Sequence, residues 1–287
     1  MKWQGRRGSE NIEDRRATGG RVSGRTAGVG GVGVLVVVLL GAFFGVDLTP
    51  LLDQGGGGGL VQQGGTVEIT EADQQAAEFV SVTLADTEEV WARIFQEQFD
   101  KTYNPATLVL FKEATNSACG GASEATGPFY CPGDQKVYLD TSFFVTLSQQ
   151  LGARGDFANA YVVAHEIGHH VQDELGILGK ANEIRARSSE TESNEISVRI
   201  ELQADCLSGI WARSAQEMFG SLDRGDIEEA LNAAKQIGDD TLQREAGRRP
   251  MPDNFTHGTS EQRMRWFQAG YDSGEVRDCD TFSAKRL

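Results

Sequence analysis

Residues 161–172 read YVVAHEIGHHVQ, and the five residues His165-Glu166-Ile167-Gly168-His169 within them decide how the rest of the chain is read. On a helix, positions i and i+4 share a face, so His165 and His169 can hold one metal ion between their imidazoles. Glu166 stands beside His165, where a carboxylate can take a proton from a water on that metal. The apolar run Tyr161-Val162-Val163-Ala164 predicts that the helix is buried, and Gly168 predicts a second segment close against it. The helix is predicted over Phe157–Leu175, with Asp156 as its cap and Gly176 at its end. Two histidines at the edge of a core, with no metal, are the plain alternative. His170 lies about 100° round the helix from His169 and reads as a supporting or surface group, not a ligand.

Two imidazoles leave zinc short of a third protein ligand, and a carboxylate on a neighbouring helix is expected. The candidates downstream are Glu190, Glu192, Glu195, Glu201 and Asp205. A helix is predicted over about Asn194–Phe219, and ELQAD puts Glu201 and Asp205 on one of its faces, four apart. That face continues into Ser208, Gly209 and Ala212, small enough for tight packing against the histidine helix. Glu190, Glu192 and Glu195 sit among Ser, Thr and Asn, as at a solvated helix start. Glu201 is therefore the expected ligand, and Asp205 the expected acceptor for the other N–H of a ligand imidazole.

The remaining pattern is α+β, mostly helical with a small sheet. Glu71–Leu84 and Asp86–Lys101 read as two amphipathic helices, the second capped by Asp86 or Thr87. TLVLF at 107–111 is a short apolar strand, and QKVYLD at 135–140 alternates like a strand with one wet face. CPGD at 131–134 marks a turn. Further helices are predicted at Ser142–Gln150, about Asp226–Gln236 and about Ser260–Asp272, and residues 179–190 as a loop or ragged helix.

Composition divides the chain. The net charge is −15 over 287 residues, from 42 acidic and 27 basic side chains, which argues against a nucleic-acid binder. Residues 1–26 carry Lys2, Arg6, Arg7, Arg15, Arg16, Arg21 and Arg25 against Glu10, Glu13 and Asp14, a net of 7 − 3 = +4. Residues 27–46, AGVGGVGVLVVVLLGAFFGV, hold no charge and are long enough, at about 30 Å, for one transmembrane helix. A cleaved signal peptide is the competitor, but no A-x-A site follows the apolar run. The basic tail predicts a cytoplasmic N-terminus and a single pass, with the body extracytoplasmic. Residues 47–66, with five consecutive glycines at 55–59, read as a linker, and the body as residues 67–287. Its four cysteines, Cys119, Cys131, Cys206 and Cys279, suggest two disulfides in such a compartment. The short Gly-rich loop favours Cys119–Cys131, leaving Cys206–Cys279. A cysteine zinc site is disfavoured, because no C-x-x-C occurs.

AHEIGHHVQ, ELQADC, GPFYCPGDQKVYLD and FTHGTSEQR together resemble the putative neutral zinc metallopeptidase family of bacteria, a gluzincin-type group. The resemblance covers about 67–287, and also the short basic tail with a single anchor. It implies a zincin-like fold, one Zn²⁺ per chain and a protein or peptide substrate. The strand at 135–140 would then be the edge strand beside the active helix. The E-x-x-x-D helix is similar to that of the CAAX prenyl protease group, where the Glu binds zinc, which supports Glu201 and Asp205. In that group a later His and Arg stabilise the oxyanion, and the matching positions here are His257 and Arg263.

These readings point to a membrane-anchored zinc endopeptidase. A non-catalytic protein-binding domain with a structural or vestigial metal is a second class, disfavoured by an intact Glu166. A cell-wall peptide amidase is a third, disfavoured by an acidic surface with no handle for anionic polymers.

Overall fold

The computed structural model describes residues 1–18, 68–123 and 126–287. Its strands, in chain order, are β1 (Ile12–Asp14), β2 (Thr107–Phe111), β3 (Ala114–Ser117), β4 (Gly120–Ser123), β5 (Phe129–Cys131) and β6 (Lys136–Asp140). The main sheet has the order β1-β2-β6-β5. β1 and β6 run parallel to β2, with Ile12 opposite Leu108 and Leu108 opposite Val137. β5 runs antiparallel to β6. Leu108–Phe111 of β2 are all buried, as for a parallel strand covered on both faces.

KVYLD is therefore an interior strand and not the edge strand that the family resemblance implied. Val137–Asp140 are buried, so no face is wet, and the turn after Cys131 folds FYC back along it. The edge beside the helices is β5. Strands β3 and β4 form a separate antiparallel ribbon.

The first helix, α1, spans Glu71–Phe99 and opens on a capping box between Thr70 and Asp73. It is one helix where the sequence predicted two. No Gly or Pro stands near Ala85, Thr87 Oγ1 donates to the Leu84 carbonyl, and Asp86 is buried beside Arg6 (Nη2···Oδ1 2.7 Å). The polar pair that resembled a cap is thus satisfied within a continuous helix. The helices that follow are α2 (Phe143–Gln149), α3 (Asp156–Glu174), α4 (Ile177–Arg185), α5 (Glu190–Phe219), α6 (Asp226–Gln236), α7 (Asp239–Glu245) and α8 (Ser260–Ser273). Residues 179–190 are in part regular, because α4 runs to Arg185.

Helix α3 is buried over almost its whole circumference, which places it at the centre of the molecule. Gly155 occupies its cap position and Asp156 is its first helical residue, so the predicted Asp156 cap is displaced by one. The Phe157 N–H donates instead to Glu229 Oε2 of α6 (3.1 Å). Trp211 of α5 stacks on Phe157 (centroids 5.7 Å apart), and both are fully buried. Helices α5 and α8 pack backbone to backbone: a Cβ on Gly270 would stand 1.8 Å from the Cys206 carbonyl oxygen. Gly209 likewise faces Phe267 of α8, not the histidine helix as its position among small residues suggested.

Both expected disulfides are present, Cys119–Cys131 and Cys206–Cys279. The first ties the β3–β4 ribbon to β5, and the second ties α5 to the C-terminal segment. Each contributes about 2–4 kcal/mol.

The sequence set residues 1–26 apart as a tail. Residues 1–18 lie within the fold instead: β1 is a strand of the main sheet, and Arg16 is buried with Nη1 donating to the Asp73 carbonyl (2.6 Å). Among the described residues no helix is long and apolar enough to cross a membrane. The predicted anchor, 27–46, and the predicted linker, 47–66, lie outside the described residues.

Candidate metal centre

His165, Glu166 and His169 lie on α3, one turn of which faces α5. Gly168 makes that approach possible: a Cβ there would stand 3.1 Å from the Ala204 carbonyl oxygen. The close passage brings Glu201 of α5 to both histidines. Its Oε2 is 3.1 Å from His165 Nε2 and its Oε1 is 3.5 Å from His169 Nε2. Donor atoms of His165, His169 and Glu201 all lie within 4.8 Å of one another. Tetrahedral zinc with bonds near 2.1 Å sets its donor atoms about 3.4 Å apart. The three side chains fit that ion.

The other nitrogen of each imidazole is held. His165 Nδ1 is 2.9 Å from Asp205 Oδ1, and His169 Nδ1 is 2.9 Å from Gln172 Oε1. Both acceptors favour the Nδ1–H tautomer and leave the Nε2 lone pair for a metal. Asp205 is fully buried and receives Arg263 Nε on Oδ2 (2.8 Å) and Nη2 on Oδ1 (3.0 Å). The Tyr161 hydroxyl also donates to Asp205 and accepts from Arg263 Nη2 (3.1 Å). Gln172 Nε2 donates to the Ile200 carbonyl (2.8 Å) and to Gln203 Oε1 (3.0 Å), and Gln203 Nε2 reaches the Cys279 carbonyl (2.9 Å). The disulfide-linked C-terminal segment thereby braces His169.

Two carboxylates bear on the paired imidazoles at this point. Burial opposes charge on the His165 imidazole, but Asp205 and Glu201 outweigh it and push its pKa up to about 10. Burial likewise opposes charge on His169, and the Glu201 carboxylate raises its pKa. Burial disfavours the Glu201 carboxylate too, yet the surrounding histidines hold its pKa well below the usual range. Asp205 is held ionised against burial by Arg263 and His165. A divalent ion between the three donors would displace the protons that the two imidazoles carry.

Glu166 is buried beside this cluster, and burial raises its pKa against the nearby histidines. Among the described residues its carboxylate has no hydrogen-bond partner, which leaves it available to a water. His257 is half-buried, and its charge bears on Glu201. Asp239 fixes the His257 segment: its Oδ2 accepts from the N–H groups of His257 (2.7 Å) and Gly258 (3.0 Å), and its Oδ1 lies 3.3 Å from His257 Nδ1. Arg263, expected with His257 at the oxyanion, is buried with its guanidinium on Asp205, Tyr161 and the Ile237 carbonyl (3.3 Å).

Other candidates fall elsewhere. Glu192 forms the capping box of α5 with Ser189. Glu190 and Glu195 are exposed and belong to the same helix start. His170 is buried between the Asn104 carbonyl (Nε2, 2.7 Å) and the Tyr130 hydroxyl (Nδ1, 3.1 Å), a link from α3 to β5 and not a ligand. A second cluster, Asp156, Asp226 and Glu229, also gathers oxygens, but the Met1 ammonium lies 2.7 Å from Asp156 and 3.4 Å from Asp226. Tyr161, Gln172 and Asp239 were not identified from the sequence. Gln172, three residues beyond His169, and Tyr161, four before His165, carried a signal in their helical spacing.

The model of the family described as putative neutral zinc metallopeptidase matches residues 1–282. The chain belongs to this family. It is 48% identical over 288 residues to the uncharacterized protein YpfJ of Escherichia coli K12, covering 98% of this chain and 99% of that protein. It is 44% identical over 195 residues to the uncharacterized protein Rv2575 of Mycobacterium tuberculosis H37Rv, covering 64% of this chain and 65% of that one. No solved structure matches. The family match begins at residue 1, in keeping with the place of β1 in the sheet.

Proposed function

We propose that this family member is a zinc-dependent endopeptidase that holds one Zn²⁺ per chain through His165, His169 and Glu201. The observation that carries this reading is the convergence of the three donor atoms from α3 and α5, with a buried, unpaired Glu166 next to them. When bound, zinc supplies Lewis-acid activation of water and of the scissile carbonyl. Glu166 takes the proton of the attacking water and delivers it to the leaving amine. His257, oriented by Asp239, donates to the developing oxyanion. Arg263 acts through Asp205: it fixes the carboxylate that orients His165. A purely structural ion has no use for Glu166, which disfavours the non-catalytic reading.

The body works on protein or peptide outside the cytoplasm, held at a membrane by the apolar stretch 27–46. Two disulfides suit that compartment. The test of the chemistry is Glu166→Gln in the full chain, assayed on unfolded casein at equal zinc content. Turnover should fall by about 10²–10⁴-fold. Unchanged turnover would remove Glu166 from the reaction.

A further inference from the structure

The sequence assigns residues 1–26 to one side of a membrane and the body to the other. The docking of residues 1–18 rules against that division. Asn11 O accepts from the Leu108 N–H (2.9 Å), and the Arg15 N–H donates to Leu110 O (2.7 Å), so β1 is hydrogen-bonded into the sheet. Upstream, the Ser9 N–H donates to Ser81 O of α1 (3.0 Å) and the Lys2 N–H to Ser221 O (2.7 Å). Trp3 packs edge-on against Phe79 of α1, with centroids 5.5 Å apart. Backbone pairs of this kind cannot form across a hydrocarbon layer about 30 Å thick.

Among the described residues, the arginines that gave the tail its orientation have partners in the fold. Arg6 pairs with Asp86 and Arg7 with Glu89 of α1 (2.6 Å). Arg16 pairs with Asp14 (2.6 Å) and is buried, and Arg15 pairs with Glu13 (2.8 Å) and donates to Thr115 Oγ1 (3.2 Å). Their presence before the apolar stretch is explained by packing on an acidic body. It carries no separate information about the cytoplasmic face.

We infer that residues 1–18 and residues 68–287 occupy the same compartment, and that it is the oxidising, extracytoplasmic one. The two disulfides set the compartment of the body, and the sheet sets that of β1. Thr18 and Glu68 therefore lie on one side of the membrane. Twenty apolar residues suffice for one helical crossing and not for two. A single helical crossing between Thr18 and Glu68 would put them on opposite sides, which the shared sheet rules against.

The native cysteines are all in disulfides, so introduced cysteines are unique targets. Gln4→Cys and Lys180→Cys, both at exposed positions, are expressed separately in the full chain. Spheroplasts are treated with a membrane-impermeant maleimide, before and after lysis. Thermal melts of the two purified variants, equal to that of the parent, establish that each is folded. Both cysteines should label fully in intact spheroplasts, with no gain on lysis. Labelling of Gln4→Cys only after lysis, with Lys180→Cys labelled before it, would restore the single crossing. Protection of both until lysis would place the whole fold inside, and either result overturns the inference. The readout does not involve activity, so it stands apart from the test of Glu166.

Discussion

At the residue scale, Glu201 and Asp205 are two carboxylates one helical turn apart with different work. Glu201 reaches the Nε2 atoms of both histidines, and Asp205 reaches only the Nδ1 of His165. Glu201→Ala should therefore abolish tight zinc binding, since two imidazoles hold the ion poorly. Asp205→Ala should cost about 10–100-fold in affinity or activity, the usual effect of losing a partner that orients a ligand. Zinc titration of the two variants separates the roles, and normal affinity in Glu201→Ala would exclude it as a ligand. The three side chains of the candidate site were legible in the sequence because i and i+4 spacing is a local property of each helix. Asp205, four residues beyond Glu201, was legible in the same way, and its contact with His165 Nδ1 agrees with that reading, but the groups that hold Asp205 were not. Tyr161, Asp205 and Arg263 meet from positions 44 and 58 residues apart, and no local pattern announces such a meeting. Resemblance to a broader group put Arg263 at the oxyanion, whereas its guanidinium lies on Asp205.

At the scale of elements, the candidate metal centre depends on how closely α5 lies to its neighbours. Its contact with α8 has no room for a side chain at Gly270. Gly270→Ala must push the two helices apart, and overpacking of this kind costs about 1–3 kcal/mol. A lowered melting temperature in calorimetry is the expected result, and an unchanged one would show that the contact is looser than described. β1 is the other element whose place matters. Arg15 and Lys136 hold Glu13 down to about 2, and Arg16 lowers Asp14. Because these folded-state values lie below the unfolded ones, the stabilisation is present above about pH 4.5 and is lost as the pH falls toward 2. Asp86 works the other way: burial, against Arg6, raises it to about 6, so its protonation below that pH relieves a cost. Hydrogen exchange at Ile12–Asp14 should accelerate between pH 4.5 and 2 beyond its intrinsic trend, before α3 does. Simultaneous loss in both would mean that β1 has no separate equilibrium. The long helices were legible from their periodicity, but β1 was not. IED is three residues with one apolar side chain, and only pairing with β2 makes it a strand.

At the scale of the whole molecule, the acidic body, the basic N-terminal segment and the disulfides form one system. Acidic groups of the body are partly met by the arginines of residues 1–16, which lie along α1 and β2. The C-terminal segment, tied to α5 by Cys206–Cys279, reaches His169 through Gln203 and Gln172. Composition divided the chain at about residue 66, and the fold does not respect that division, because charge statistics cannot say which charges pair. The central proposal is that the His165, His169 and Glu201 cluster holds a cation, with Glu166 as the base beside it. The measurement that bears on this most directly is casein hydrolysis by the full chain before and after chelation, with zinc returned in measured amounts. The account predicts cleavage that disappears on chelation and returns fully at one zinc per chain. Cleavage that survives complete removal of metal, or none from a chain carrying its full zinc, would contradict it.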